Sequence, residues 1–284
     1  MSEKFSDMLV VSDIDGTLLQ AGYGIPKENI EAIDNFIEAG GLFTVATGRS
    51  VESVSKYVEW LKFSAPAILC NGGLIYDFKT RRILYERTLD SSVEGIVEEI
   101  MGSFDDIGVE VHKGGKICAV KMNEAVLQHT AVEHISFTLT DISNVGGDWN
   151  KILIADVPEN IAKVKKFVEK RQKTESLYKR FDFVQTSATY YEIIPTGVNK
   201  GEGLKKLAEI MGIDMKKTVA IGDFDNDIPM LEVAGYAAAV ADAAPNVRSR
   251  ADVTVRSCLQ GGVAELLESM NTLHDGYIQM RLDI

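Results

Sequence analysis

The 284-residue chain has three cysteines, Cys70, Cys118 and Cys258, with no C-x-x-C spacing among them. A disulfide framework and a thiolate zinc site are therefore not expected, and a reducing compartment is the default. No stretch of 18 consecutive apolar residues occurs, so no membrane-spanning helix is expected. The opening segment MSEKFSDMLVVSD mixes acids with a short apolar run, unlike a secretory leader, and no N-x-[ST] sequon follows it. These absences favour the cytoplasm. Positive charge is also scarce: 30 Lys and Arg stand against 42 Asp and Glu, a formal charge of −12. Such a chain is a poor partner for polyanions, so neither nucleic acid nor an anionic membrane is expected to bind it. An anionic ligand would need a locally positive site built against the global field.

What is present suffices for a large core. Hydrophobic residues make up 45% and charged residues 25%, ordinary values for a globular protein. At roughly 150 residues per domain, the length suits two domains or one large α/β unit. No tandem repeat or low-complexity tract is visible. Met8–Ser12, Leu42–Ala46 and Ala67–Cys70 read as short strands buried on both faces. Helices are expected over Pro26–Ala39, with Gly40 as the stop, and over Val51–Leu61. This β-α-β-α-β rhythm predicts a doubly wound parallel sheet.

The rhythm changes near Arg81. Strands are expected at Ile107–Val111 and Ile117–Lys121 around a Gly114-Gly115 turn, at Lys151–Asp156, and in a closing hairpin of Phe181–Gln185 and Thr189–Ile194. Helices are expected near Ser92–Met101, Glu124–Glu133 and Pro158–Gln172. From Lys200 the first rhythm returns: helix Gly201–Met211, strand Thr218–Ile221, helix Asp227–Val233, strand Tyr236–Val240, then short helices near Pro245–Arg250 and Val263–Met270. The reading is an α/β core of residues 1–82 and 195–284, interrupted by an α+β insert of residues 83–194.

Two acidic segments follow apolar strands. Asp13-Ile14-Asp15-Gly16-Thr17 ends the first, and Gly222-Asp223-Phe224-Asp225-Asn226-Asp227 ends a late one. Ligands of open α/β sheets bind beyond the carboxyl ends of the strands. Either segment alone serves equally well as a capping turn. Together at one sheet edge they repel unless a cation or protons intervene, and oxygen-only donors favour a hard ion such as Mg²⁺. Thr47-Gly48-Arg49 follows the second strand, where a hydroxyl and a backbone N–H can hold a phosphoryl oxygen, or simply cap a helix. Lys200, opening a helix, can neutralise carboxylates or phosphate, or lie on the surface. No P-loop run occurs.

The four segments, in this order, resemble the haloacid dehalogenase superfamily. DIDGTLL (Asp13–Leu19), ATGR (Ala46–Arg49), NGG (Asn71–Gly73), NKGEGL (Asn199–Leu204) and GDFDNDIPM (Gly222–Met230) are similar to its Cof-type branch with a type IIB cap. The resemblance implies a Rossmann-like catalytic core, with residues 83–194 as a cap that restricts the substrate to a small phosphorylated metabolite. It implies a Mg²⁺-dependent phosphomonoester hydrolase, with a sugar phosphate as first guess and FMN or pyridoxal phosphate next, in a monomer or small homo-oligomer. Asp13 would be the nucleophile, Asp15 the general acid and then base, and Thr47 and Lys200 the groups holding the phosphoryl. Asp13, Asp15 (through its backbone carbonyl) and Asp223 would bind Mg²⁺, supported by Asn226 and Asp227. Gly48, Arg49, Asn71 and Gly72 would lie against the substrate, although Arg49 can equally pair with core acids. A phosphomutase sharing the nucleophile, or a non-catalytic phosphometabolite sensor, are the competing readings. Outside the motifs, His112, His129, His134 and His274 show no ligand spacing, and a loop bearing His112-Lys113 could meet a substrate.

Overall fold

A computed structural model describes residues 5–273 apart from 21, 59 and 134, with the backbone only at 271–273. His134 and His274 thus lie outside the described residues. The chain begins with β1 (Leu9–Ser12), α1 (Lys27–Glu38), β2 (Leu42–Val45), α2 (Val51–Ser55), β3 (Ala67–Leu69), β4 (Leu74–Asp77) and β5 (Arg82–Glu86). Next come α3 (Val93–Ser103), β6 (Gly108–Lys113), β7 (Lys116–Lys121), α4 (Glu124–Glu133), β8 (Thr138–Leu139), β9 (Lys151–Ala155), α5 (Pro158–Thr174), β10 (Phe181–Gln185) and β11 (Tyr190–Pro195). The last stretch holds α6 (Lys200–Met211), β12 (Thr218–Gly222), α7 (Ile228–Val233), β13 (Tyr236–Val240), α8 (Pro245–Arg248), β14 (Val253–Val255) and α9 (Gly262–Leu273).

Two compact units result. One takes the chain up to Arg49, Ser55–Tyr85 and everything from Asn199; the other takes Ser50–Val54 and Glu86–Val198. The segment Ser50–Val54, inside the stretch read as core, clusters with the second unit.

The first unit is an α/β layer structure. Its five-stranded parallel sheet runs β14-β13-β12-β1-β2. Leu9, Val10 and Val11 of β1 are fully buried, as expected for a parallel strand covered on both faces. The register sets Ser12 of β1 level with Ile221 of β12 and Val45 of β2. The residues that follow, Asp13, Asp223 and Thr47, therefore leave the sheet at one edge. The third expected strand, β3, pairs antiparallel with β4 in a separate three-stranded sheet, and the parallel Ala46–Ile68 bridge, with Thr47 N–H donating to the Ile68 carbonyl at 2.9 Å, joins it to the end of β2. The helix expected over 51–61 stops at Ser55. Val51, Ser53, Val54, Ser55 and Val58 are all indifferent helix formers, so the apolar spacing alone does not sustain it.

The second unit is a six-stranded sheet, β10-β11-β9-β6-β7-β8, antiparallel except where β7 meets β8. Alternation along its strands sorts two faces. Val109, Val111, Ile152, Ile154 and Ile193 join the apolar cluster that includes Ile96, Val164 and Val168 of α3 and α5. The opposite face carries buried polar groups. Glu110 is fully buried and accepts hydrogen bonds from His129 Nδ1 at 2.8 Å and His112 Nε2 at 3.2 Å. Lys151 Nζ donates to Glu192 Oε1 at 2.7 Å. His112 does not lie on a loop: it is a buried residue of β6, and Lys113 Nζ is spent on the Val145 carbonyl.

Burial opposes ionisation of Glu110, yet hydrogen bonds from both histidines hold it down at about 2. Burial likewise disfavours the His129 cation, but Glu110 and Glu133 outweigh it and raise His129 to about 9. The raised histidine contributes fully below its ordinary value of 6.5, and that contribution is lost as pH climbs through 9. The depressed carboxyl contributes above its ordinary 4.5 and loses this as pH falls through 2. Melting temperature is therefore expected to decline between about pH 7 and pH 10, and Glu110→Gln to flatten that decline. Thermal melts across this range, followed by circular dichroism, check both expectations.

Candidate active site

Convergence at the sheet edge begins with backbone geometry. Asp13 N–H donates to the Ile221 carbonyl at 2.9 Å, extending the β1–β12 ladder by one residue and fixing the Asp13 side chain beside the β12 loop. Gly16 sits at φ 91°, and a Cβ there would lie 2.4 Å from Asp223 Oδ2. Only glycine fits both the left-handed turn and this approach. Thr17, fully buried, donates its hydroxyl to Asp223 Oδ1 at 2.7 Å.

The electrostatic centre is Lys200, 1% exposed. Asn199 caps α6 by accepting from the Glu202 N–H, which fixes the first turn of the helix and hence the root of the lysine. Its ammonium donates to Asp13 Oδ1 at 2.5 Å and to Asp227 Oδ1 at 2.6 Å. Asp227 is fully buried, and its second oxygen accepts from the backbone N–H groups of Asp223 and Phe224 at 2.9 and 3.0 Å. Asp227 thus ties the lysine to the late acidic loop.

Asp13, Asp223 and Asp227 each offer a carboxylate oxygen, all within 4.8 Å of one another. Burial pushes Asp13 well above the ordinary carboxylate range; Lys200 opposes this, and Asp227 and Asp223 add to it. Asp223 is pushed up to about 6 by burial against its bond from Thr17. Burial works against the Lys200 cation, but Asp13 and Asp227 hold its pKa above the usual lysine value. One ammonium among three ionised carboxylates leaves two negative charges uncompensated, and all the donors are oxygens. This chemistry fits Mg²⁺.

The other residues expected at the site separate into two groups. The Asp15 carboxylate stands outside the acidic cluster, gripped at 2.7 Å by both Nε and Nη2 of Arg49. Arg49 also stacks over Tyr57, so its planar head is held in two ways. Thr47 is buried, and its hydroxyl accepts the Arg49 N–H at 3.2 Å. Asn71 packs beside Gly48, and its Oδ1 accepts from Asn226 Nδ2 at 3.2 Å. Gly72 lies against the Asn199–Lys200 backbone. Thr17 had no role assigned from the sequence; its place beside an invaginated glycine turn is visible only once Asp223 is brought alongside.

A sequence profile of haloacid dehalogenase-like hydrolases matches residues 10–267. A 5-amino-6-(5-phospho-D-ribitylamino)uracil phosphatase of Bacillus subtilis is 30% identical over 289 aligned positions, covering 92% of this chain and 97% of the relative. A pyridoxal phosphate phosphatase of Escherichia coli is 26% identical, covering 92% and 97%. A solved haloacid dehalogenase-like hydrolase from Bacteroides thetaiotaomicron superposes with a TM-score of 0.83 at 23% identity, covering 93% and 99%. The chain belongs to the haloacid dehalogenase-like hydrolases.

Removing the buried cation should expose the charge imbalance. Lys200→Met is expected to lower the unfolding free energy by about 3–5 kcal/mol near pH 8 in chelator, because Asp13 and Asp227 lose their shared partner. The loss should shrink toward pH 5, since carboxyls with raised pKa take up protons in the folded state. Urea denaturation at the two pH values measures this.

Proposed function

We propose that the protein is a Mg²⁺-dependent phosphomonoester hydrolase working through an aspartyl-phosphate on Asp13. The observation that supports this most directly is the shared ammonium: Lys200 bonds Asp13 and Asp227 at 2.5 and 2.6 Å, beside Asp223. Asp13, Asp223 and the Asp15 backbone carbonyl would hold the ion, with Asp227 and Asn226 shaping the loop that presents Asp223. When bound, the ion neutralises charge on the phosphoryl oxygens and so lowers the repulsion met by an anionic nucleophile.

The chain's own groups then act in sequence. Lys200 orients the Asp13 carboxylate, and Asp13 attacks phosphorus as the bond to the ester oxygen breaks. Asp15 delivers a proton to that leaving oxygen. In the second half, Asp15 takes a proton from water as the water oxygen bonds phosphorus and the Asp13–phosphorus bond breaks, releasing phosphate. Thr47 and Gly48 hold the phosphoryl group in transit. Arg49 holds both oxygens of the half-exposed Asp15 carboxylate, and one of them must leave the guanidinium for Asp15 to pass a proton to the ester oxygen.

The substrate class proposed is a small metabolite phosphate carrying a sugar or polyol. The phosphoribityl substrate in the Bacillus relative's name supports it, and the pyridoxal phosphate of the Escherichia relative supports a phosphorylated cofactor next.

A panel of metabolite phosphates scored for free phosphate, with and without chelator, tests the reading. Release on the panel and its loss on chelation are expected; formation of an isomer without free phosphate would point to a mutase. Asp13→Asn should abolish turnover. Asp15→Asn should lose about 10²–10⁴-fold and accumulate the acyl-phosphate, detectable as an acid-stable mass increase. Near-normal turnover in Asp13→Asn would overturn the assignment.

A further inference from the structure

We propose that the Cys70–Gly72 turn is a positioning element of the active site, with Asn71 acting through Asn226 on the metal-side loop and not as a direct substrate contact. The inference rests on the hydrolase reading for its kinetic consequence, but its structural basis is independent of it.

The turn holds three successive residues in the left-handed region: Cys70 at φ 50°, Asn71 at 55° and Gly72 at 99°. A non-glycine residue there is strained and persists only where its surroundings over-determine it; asparagine tolerates the region best. The surroundings do over-determine it. Cys70 N–H donates to the Arg49 carbonyl at 3.1 Å, and Asn71 N–H to the Thr47 carbonyl at 3.0 Å. Both bonds lock the turn onto the Thr47–Arg49 segment. On the other side, a Cβ at Gly72 would come within 2.1 Å of the Asn199 carbonyl oxygen, and a Cβ at Gly203 within 2.9 Å of the Gly72 Cα. The turn is therefore wedged into the first turn of α6, at the root of Lys200. Its buried side chain makes the third connection: Asn71 Oδ1 accepts from Asn226 Nδ2 at 3.2 Å, and the same amide fills the space beside Gly48.

One strained turn thus touches the Thr47–Gly48 segment, the Lys200 helix and the loop that carries Asp223 and Asp227. Its energetic cost is repaid in register among three segments that are far apart in the chain. Groups that orient metal ligands or catalytic groups from behind typically matter by about 10–100-fold in affinity or rate. Asn71's bond to Asn226 is of that kind.

The variants are Asn71→Gly, which keeps the left-handed backbone while deleting the amide, Asn226→Ala, and the double variant. Two readouts are taken on each: kcat and KM for the best panel substrate, and apparent affinity for Mg²⁺ alone, from thermal shift without substrate. In each single variant kcat is expected to fall about tenfold with KM changed less than twofold, and Mg²⁺ affinity to weaken about tenfold. The double variant should be no worse than the worse single one, because both delete one link. A raised KM with unchanged kcat would mean that Asn71 touches substrate, and would overturn the proposal. Additive losses, or Mg²⁺ affinity unchanged in both single variants, would overturn it too. Should Asn71→Gly not fold, Asn226→Ala decides by the same two readouts. Should the wild-type protein release no phosphate from any panel member, the hydrolase reading fails, and the Mg²⁺ titration still decides the positioning claim.

Discussion

The first unit is organised around a single buried cation. Lys200 is nearly inaccessible, and it satisfies Asp13 at the end of the first strand and Asp227 after the twelfth. Burying an ion pair brings little net stability when compared with well-packed apolar groups. Its retention is better understood through what it prevents. The parallel register brings carboxylates from β1 and β12 to one sheet edge whatever their charge, and without the ammonium they would repel until protons or a metal ion took its place. The lysine makes that register tolerable while leaving enough residual negative charge for a divalent cation.

Much of the core was legible because buried parallel strands are written as short apolar runs. Met8–Ser12, Leu42–Ala46 and Thr218–Ile221 read correctly as strands, and the polar residue just beyond each marked the sheet edge. Ala67–Leu69 is a strand as well, but its apolar run reports burial and not its antiparallel pairing with β4. The helix after Arg49 ends at Ser55, short of its apolar spacing, because valine and serine there are weak helix formers. β14 was missed altogether, being three residues long with Thr254 exposed.

At the site, residue types and their order showed which carboxylates exist but not whom each one meets. The sequence allows Arg49 either a substrate or a core acid as partner; its bidentate hold on Asp15 is of the second kind. Such pairings depend on rotamers and loop closure, which leave no periodic trace in a sequence. The Glu110–His129 pair of the second unit was invisible for a different reason. Scattered histidines acquire meaning only when β6 and α4 bring them to one acid, across 19 positions of chain.

The order of strands also bears on biosynthesis. β1 lies between β2 and β12, yet roughly two hundred residues separate β1 from β12. At ribosomal speeds of about 5–20 residues per second, the nascent β1 edge waits some 10–40 s for its neighbour. The six strands of the second unit are contiguous in the chain and complete their own sheet during that interval. An apolar edge ending in Asp13 therefore stays unmated while a finished domain emerges behind it, which makes the early β1–β2 segment a natural client for chaperones.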